Sequence, residues 1–151
     1  MRTIRSFADL FGPNFVPYEK QEAWIRTPKT QSLFLAGFGA GKSFALAMRC
    51  ILAVLEGPRS DGIIISVTYE MCLNVNLKAL LTLEDAMRSH TGKGIIAHVN
   101  KSRMEVITKW GSKILLRSAT RCQNLVGLNL GWAALDEVTT MPRQEEVYDL
   151  M

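Results

Sequence analysis

A glycine-rich segment between two apolar stretches constrains this chain of 151 residues more than any other feature. Residues 36–43 read AGFGAGKS and match the pattern GxxxxGK[ST] at its last three positions, with Ala36 in place of the first glycine. A loop that brings several backbone N–H groups to one anion must exclude bulky side chains and allow positive φ. An apolar run of strand length precedes the segment and a helical pattern over 43–56 follows it. The sequence therefore predicts a phosphate-binding loop between a strand and a helix.

Each polar residue at the end of this loop has a predicted role in nucleotide binding. The helix that follows directs its N-terminal dipole at the anion, and Lys42 is expected to reach the β and γ phosphates. The Ser43 hydroxyl is expected to coordinate Mg²⁺. The residues predicted to contact ATP here are Ala36, Gly37, Phe38, Gly39, Ala40, Gly41, Lys42, Ser43 and Phe44.

Two adjacent carboxylates follow a second apolar run, at residues 132–135. In a chain with a phosphate loop, Asp136 is expected to hold Mg²⁺ with Ser43, and Glu137 to polarise the water that attacks the γ-phosphate. Only a hydrolase needs a water-activating carboxylate, so the pair favours a hydrolase over a switch or a small-molecule kinase. The nearest match to the guanine-selecting NKxD motif, at residues 100–103, has Arg103 where the Asp belongs, which argues against GTP specificity.

The order of hydrophobic patterns predicts an α/β plan. Helices are expected over 18–26, 43–56 and 69–90, with a polar helix from near Pro142. Strands are expected over 31–36, 63–68 and 132–135, and three short segments between residues 95 and 118 suit an antiparallel meander. The run over 63–68 is apolar enough for a strand buried on both faces. The predicted fold is a mainly parallel sheet flanked by helices, with an antiparallel β-hairpin insertion before the acidic pair.

Composition narrows the class of protein further. Hydrophobic residues make up 48% of the chain and charged residues 21%, which excludes a disordered chain, and the length suits one domain over 1–151. No apolar run is long enough for a transmembrane helix, and the N-terminus has no signal-peptide core. Three distant cysteines indicate buried free thiols in a reducing compartment, and the two histidines lack metal-ligand spacing.

Three blocks of sequence, in this order, resemble the ATPase domain of large terminase subunits, the DNA-packaging motors of tailed phages. FLAGFGAGKSFALA is similar to the family's Walker A loop, and KWGSKILLRSAT (109–120) is similar to the stretch that precedes its Walker B motif. NLVGLNLGWAALDEVTTMP (124–142) is similar to the Walker B region itself. Upstream, Tyr18 and Gln21 resemble the segment that grips the adenine.

This resemblance implies a P-loop NTPase fold of the ASCE or RecA-like type, with N-terminal helices over 1–30 and the core over 31–151. It implies Mg²⁺-dependent ATP hydrolysis that drives double-stranded DNA into a procapsid, in the cytoplasm of the host cell. The implied partners are other copies of the chain in a ring, a portal protein and a small terminase subunit. The family's coupling motif, last strands and nuclease domain are absent from the sequence, so we expect an ATPase domain incomplete at its C-terminus.

Six basic residues and one acid occupy residues 101–121. The backbone phosphates of a duplex attract such clusters, so Lys101, Arg103, Lys109 and Lys113 are candidates for DNA or subunit contacts. Arg117 and Arg121 are candidates for an arginine finger that completes a neighbour's site. Alternate strand positions that simply face solvent would give the same pattern.

Two other functions remain open at this stage. A helicase-like nucleic-acid-dependent ATPase would give every residue above the same role. A nucleotide-binding assembly module without hydrolysis is the second alternative, and Glu137 argues against it.

Overall fold

In a computed structural model of the chain, the described residues are 6–120, 127–141 and Glu145. The helices are α1 (Phe7–Phe11), α2 (Glu19–Ile25), α3 (Lys42–Glu56), α4 (Tyr69–Met71) and α5 (Lys78–Thr91), with a π-helix at Cys72–Leu77 between the last two. Short 3-10 helices lie at Pro13–Phe15 and Val138–Thr140. The strands are β1 (Gly62–Ser66), β2 (Ile96–Asn100), β3 (Glu105–Thr108), β4 (Lys113–Ser118) and β5 (Trp132–Leu135).

The strands form one five-stranded sheet in the order β2-β3-β4-β1-β5. Strand β1 pairs in parallel with β4 on one side and β5 on the other, so Ile64 lies between Leu116 and Ala134. Strand β3 is antiparallel to both of its neighbours, β2 and β4. Four of the five described strands therefore run in the same direction. The expectation of a separate hairpin insertion needs revision, because β4 belongs to the central sheet and only β3 is reversed.

Strand β1 is the centre of the core, as its apolar run predicts. All five of its residues are buried. Ile64 packs into the larger hydrophobic cluster with α3 and α5, whereas Ile63 and Ile65 pack on the other face with Leu115 and Ala119. Burial on both faces places the carboxyl end of β1 deep within the molecule, next to the end of β5.

Helix α3 follows the glycine-rich loop and packs against the sheet. Eight of its residues are buried, including Val54 and Ile51. Arg49, a basic residue in the middle of this apolar helix, donates to the carbonyl groups of Trp24 and Ile25 at the end of α2. Its guanidinium lies 5.0 Å from the centre of the Trp24 ring. Because the last carbonyls of a helix lack a full set of partners within it, Arg49 can bind them and so join α2 to α3.

The predicted strand over 31–36 does not form. Residues 32–37 have no regular secondary structure, and Leu33 and Leu35 are 66% and 74% exposed. Phe34 points the other way and packs on Trp24, with 5.3 Å between ring centroids. An apolar run becomes a strand only when a neighbouring strand supplies hydrogen-bond partners, and none of the described strands pairs with this segment. The polar helix expected from Pro142 lies outside the described residues, apart from Glu145.

The helix predicted over 69–90 is interrupted by the π-helix at Cys72–Leu77. A π-helical stretch adds a residue to the turn and changes which side chains face inward. Here the leucines of the predicted apolar side still pack inward, and Asn76 is buried with them. Within the described part of the chain, no helix combines the length and apolar character needed to cross a bilayer.

Candidate active site

The glycine-rich loop forms a tight turn that leads into α3. The Ala40 N–H donates to the Gly37 carbonyl at 3.4 Å, and Gly39 and Gly41 have φ angles of +75° and +69°. The Gly41 carbonyl accepts from the Ala45 N–H at 3.0 Å, so α3 begins at Lys42. The N–H groups of a helix's first turn have no partner within the helix, and the helix dipole adds positive charge there. The loop and helix together can bind an anion.

Lys42 connects this loop to the acidic pair. Its ammonium group donates to the Ala36 and Gly37 carbonyls, each at 3.1 Å, and lies 3.9 Å from Oε1 of Glu137. Residues nearly a hundred positions apart in the sequence therefore meet, because the end of β5 lies beside the start of α3.

Asp136 and Glu137 follow β5 at the carboxyl end of the parallel strands. The Asp136 N–H donates to the Ile65 carbonyl at 2.9 Å, which extends the β1–β5 ladder by one bond, and Asp136 is 5% exposed. Glu137 is more exposed and has a φ of +56°. A left-handed conformation costs a residue with a side chain roughly 1–2 kcal/mol, and such strain concentrates at functional sites.

Burial raises the pKa of Asp136, and the neighbouring Glu137 charge raises that pKa further. A backbone hydrogen bond from Glu137 and the charge of Lys42 act in the opposite direction. The positive charge of Lys42 therefore does not fully offset the burial of the Asp136 carboxylate and the charge of Glu137. A further cation beside Asp136 would stabilise its ionised form.

Asn76 and Ser66 complete this cluster, and the sequence reasoning missed both. The Asn76 side-chain nitrogen donates to the Ser66 hydroxyl at 2.9 Å and to Oδ2 of Asp136 at 3.1 Å. Its amide oxygen has no hydrogen-bond partner among the described residues. A signal was present in the sequence: Asn76 falls between Leu73 and Leu80 on the helix face that the pattern assigns to the core.

The oxygen donors of this cluster are of the kind that a magnesium ion prefers. Mg²⁺ is usually held by one or two carboxylates, with phosphate oxygens and waters as the remaining ligands. Asp136 supplies a buried carboxylate, Ser43 belongs to the first turn of α3, and the unpaired Asn76 oxygen is a further acceptor in the same buried cluster. Among the described residues, no group of three or more His, Cys, Asp or Glu side chains could hold a metal ion by itself.

Gln21 lies against the loop, although its side chain is already hydrogen-bonded. Its amide oxygen accepts from the Tyr18 N–H at 2.8 Å, which caps α2, and its nitrogen donates to the Ala40 carbonyl at 2.7 Å. Tyr18 and Phe38 are exposed, and Phe44 is partly so. Phe38 lies on the loop, Phe44 in the first turn of α3, and Tyr18 directly before α2, the helix that Gln21 joins to the loop.

The basic residues of the meander are dispersed. The Arg117 guanidinium donates to the carbonyls of Arg103, Met104 and Leu116 and lies 3.8 Å from Glu105. Lys113 also lies 3.8 Å from Glu105. Lys101 and Arg103 are exposed at one end of β3, and Lys109 is exposed at the other. Arg121 is outside the described residues.

Comparison with solved structures identifies the class of fold. The chain superposes on the large terminase ATPase domain of Thermus phage P74-26 with a TM-score of 0.75 and 21% sequence identity, over 95% of this chain and 62% of that one. An arginine-to-alanine variant of the same phage domain gives a TM-score of 0.71 at 21% identity, over 95% and 63% of the two chains. No protein-family model matches the chain, and no curated protein is significantly similar to it.

The fold is therefore that of a large terminase ATPase domain, as the sequence motifs indicated. The chain spans less than two thirds of the solved domains that it resembles.

Proposed function

We propose that this chain is an ATP-hydrolysing motor domain of the large terminase type, which drives double-stranded DNA into a viral procapsid. The observation that carries the proposal is the approach of Lys42 to Glu137, 3.9 Å apart, at the point where the glycine-rich loop meets the end of β5. A cation from a phosphate loop beside a carboxylate that can orient water is the arrangement that phosphoryl transfer to water needs.

Each residue of the proposed site has a role in ATP hydrolysis. The α3 N-terminus and Lys42 bind the β and γ phosphates, and Lys42 exchanges its carbonyl partners for phosphate oxygens. Ser43 and Asp136 would hold Mg²⁺, which when bound would neutralise charge on the phosphate oxygens. Glu137 orients a water molecule in line with the γ-phosphate and accepts its proton as the new bond to phosphorus forms, while the bond between the γ-phosphorus and the bridging oxygen breaks and ADP leaves.

The adenine is expected to lie near α2. Gln21 is held between Tyr18 and Ala40 by two hydrogen bonds, so it links the glycine-rich loop to the segment that would bind the adenine base. Tyr18 and Phe38 offer exposed aromatic rings for stacking on it. The proposed nucleotide contacts are those predicted from the sequence: Tyr18, Gln21 and residues 36–44.

The partners follow from the same proposal. Lys101, Arg103, Lys109 and Lys113 are candidates for contact with DNA or a neighbouring subunit. Arg117 and Arg121 are the candidates for the arginine finger, and the Arg117 guanidinium would have to exchange its three carbonyl partners to serve in that role. A homo-oligomeric ring, a portal protein, a small terminase subunit and a site of action in the host cytoplasm complete the proposal.

Phosphate release from MgATP tests the activity, with GTP as the control nucleotide and with or without duplex DNA. Lys42→Ala should abolish MgATP binding or weaken it severely, whereas Glu137→Gln should bind MgATP normally and lose hydrolysis. Turnover that rises steeply with protein concentration would support sites completed by a neighbouring subunit.

Two outcomes of this assay would contradict parts of the proposal. Unchanged turnover in Glu137→Gln would overturn the assignment of the catalytic carboxylate. ATP binding without turnover at any protein concentration would favour a nucleotide-binding assembly module instead.

A further inference from the structure

Asn76 lies at the centre of a buried polar cluster that joins three elements. It is 3% exposed, and its side-chain nitrogen donates to Ser66 at the end of β1 and to Asp136 after β5. Ser66 is also fully buried. Because the alternative to a hydrogen bond inside a protein is an unpaired polar group, such contacts fix side-chain orientation strongly.

The local fold explains why an asparagine reaches this position. Ile65 of β1 is in register with Leu135 of β5, so the chain positions that follow them, Ser66 and Asp136, lie side by side at the end of this strand pair. The π-helix at Cys72–Leu77 contacts β1 and β4, and its buried Asn76 reaches Asp136 after β5. A π-helix is uncommon, and its frequent occurrence at functional sites accords with this placement.

The two ends of the Asn76 amide differ in what they do. The nitrogen has both of its hydrogens engaged, one with Ser66 Oγ and one with Asp136 Oδ2. The oxygen is bonded to the same carbon and is therefore part of the same buried cluster, yet it has no partner among the described residues. A buried acceptor without a partner requires a donor or a cation to satisfy it.

We propose that Asn76 is a positioning residue for the metal-binding carboxylate of Asp136: its nitrogen holds Oδ2, which leaves Oδ1 of Asp136 for Mg²⁺. The unpaired Asn76 oxygen would remain available to accept a hydrogen bond from a water molecule in the same cluster. This inference rests on the proposed function, since it assigns Asn76 a role toward the metal of the same site. Substitution of a residue that hydrogen-bonds to a metal ligand commonly lowers metal affinity by roughly tenfold to a hundredfold.

The test compares nucleotide affinity with and without the metal. A fluorescent ATP analogue is titrated into the unsubstituted chain, Asn76→Ala and Asn76→Leu, first with excess Mg²⁺ and then with EDTA. Asn74→Ala is the matched control, because Asn74 belongs to the same π-helix and is exposed. The leucine variant keeps a side chain of similar size without a donor, which separates the lost hydrogen bond from a packing defect.

The expected result is a tenfold or larger loss of affinity with Mg²⁺ in both Asn76 variants, little change in EDTA, and no change for Asn74→Ala in either condition. Equal losses with Mg²⁺ and with EDTA would overturn the inference, because they would indicate a purely structural role. Unchanged affinity would overturn it as well, and so would the failure of both Asn76 variants to give a cooperative thermal transition.

The same titration separates this inference from the proposed function. If the unsubstituted chain shows no Mg²⁺-dependent gain in affinity, or if Lys42→Ala binds as well as it does, the proposed function fails and the inference fails with it. If the unsubstituted chain gains affinity with Mg²⁺ and the Asn76 variants gain as much, only the inference fails.

Discussion

The three glycines of the glycine-rich loop, Gly37, Gly39 and Gly41, differ in the backbone conformation and the space that they require. Gly37 has an ordinary φ and open space where a side chain would start, whereas Gly39 has a φ of +75° in equally open space. Gly41 combines a φ of +69° with a close neighbour, since a Cβ there would be 2.9 Å from Nε2 of Gln21. The three positions therefore differ in how strictly they require glycine.

Alanine at each of these glycines should therefore reduce stability to a graded extent. The free energy of unfolding should change by less than about 0.5 kcal/mol for Gly37→Ala. For Gly39→Ala the free energy of unfolding should fall by roughly 1–2 kcal/mol, because only the strain of the left-handed backbone is added. Gly41→Ala should lose more, because its methyl group also displaces Gln21. Urea denaturation measures all three, and equal losses would contradict this account of the loop.

Cys50 is a residue whose ionisation the fold suppresses. Burial in α3 raises its pKa from 9.0 to about 12, while the neighbouring Arg49 charge acts in the opposite direction. The folded chain therefore keeps the thiol proton over a pH range in which the unfolded chain releases it.

The contribution of Cys50 to stability should be present below pH 9.0 and decline as the pH rises toward about 12. Since lysine and tyrosine also titrate there, the measured quantity is the difference in unfolding free energy between the unsubstituted chain and Cys50→Ala across this range. That difference should shift in favour of Cys50→Ala as the pH increases. A difference that is independent of pH would refute the suppressed ionisation.

At the scale of elements, a single carboxylate connects α5 to the start of β2. Glu84 is buried, and its oxygens accept hydrogen bonds from the Ile95 and Ile96 N–H groups at 2.9 and 3.1 Å. Arg88, one turn further along α5, donates to the same carboxylate at 2.7 Å. Only glycine fits at position 94, because a Cβ there would lie 2.0 Å from Oε1 of Glu84.

Glu84→Ala should lower the free energy of unfolding by about 2–6 kcal/mol, because it leaves two buried N–H groups unpaired at roughly 1–3 kcal/mol each. Asp85→Ala is the control, since Asp85 is the next residue on α5 and is exposed; it should change stability by less than about 0.5 kcal/mol. Guanidinium denaturation of both variants provides the comparison. Similar losses in the two variants would show that the carboxylate does not join these elements.

Elements with strong local signals were predictable, and those that depend on distant partners were not. Helix α3 begins at the Gly-Lys-Ser step and ends before Gly57-Pro58, as expected, and β5 covers the predicted residues 132–135. The prediction of a strand over 31–36 was wrong. Hydrophobicity indicates that a segment prefers burial, but it does not indicate whether a neighbouring strand is present to pair with it. The π-helix also escaped prediction, since one extra residue in a turn leaves the apolar pattern nearly unchanged.

At the scale of the whole molecule, a ligand that binds only the folded chain stabilises all of it. MgATP at a concentration a hundred times its dissociation constant should add about 2.7 kcal/mol to the free energy of unfolding. For a chain of this size each kcal/mol raises the melting temperature by roughly 2–4 °C, so a rise of roughly 5–11 °C is expected.

Thermal denaturation with and without MgATP measures this shift, and Lys42→Ala is the variant in which it should disappear. The comparison requires no turnover, so it tests binding separately from hydrolysis. An equal shift in Lys42→Ala would mean that ATP binds elsewhere on the molecule.

The sequence by itself predicted the residues of the candidate site and the order of most helices and strands. The pattern of glycines, Lys42, Ser43 and the two adjacent acids can be recognised locally, because each requirement concerns neighbouring residues: φ freedom, a helix start, a strand end. It also indicated the terminase-type fold, which the solved structures support. Only the tertiary structure decided that Asn76 and Ser66 join Asp136, that β4 lies parallel to β1, and that Arg117 is held by carbonyl groups. Those features depend on contacts between residues far apart in the chain, and local patterns carry no information on which distant groups will meet.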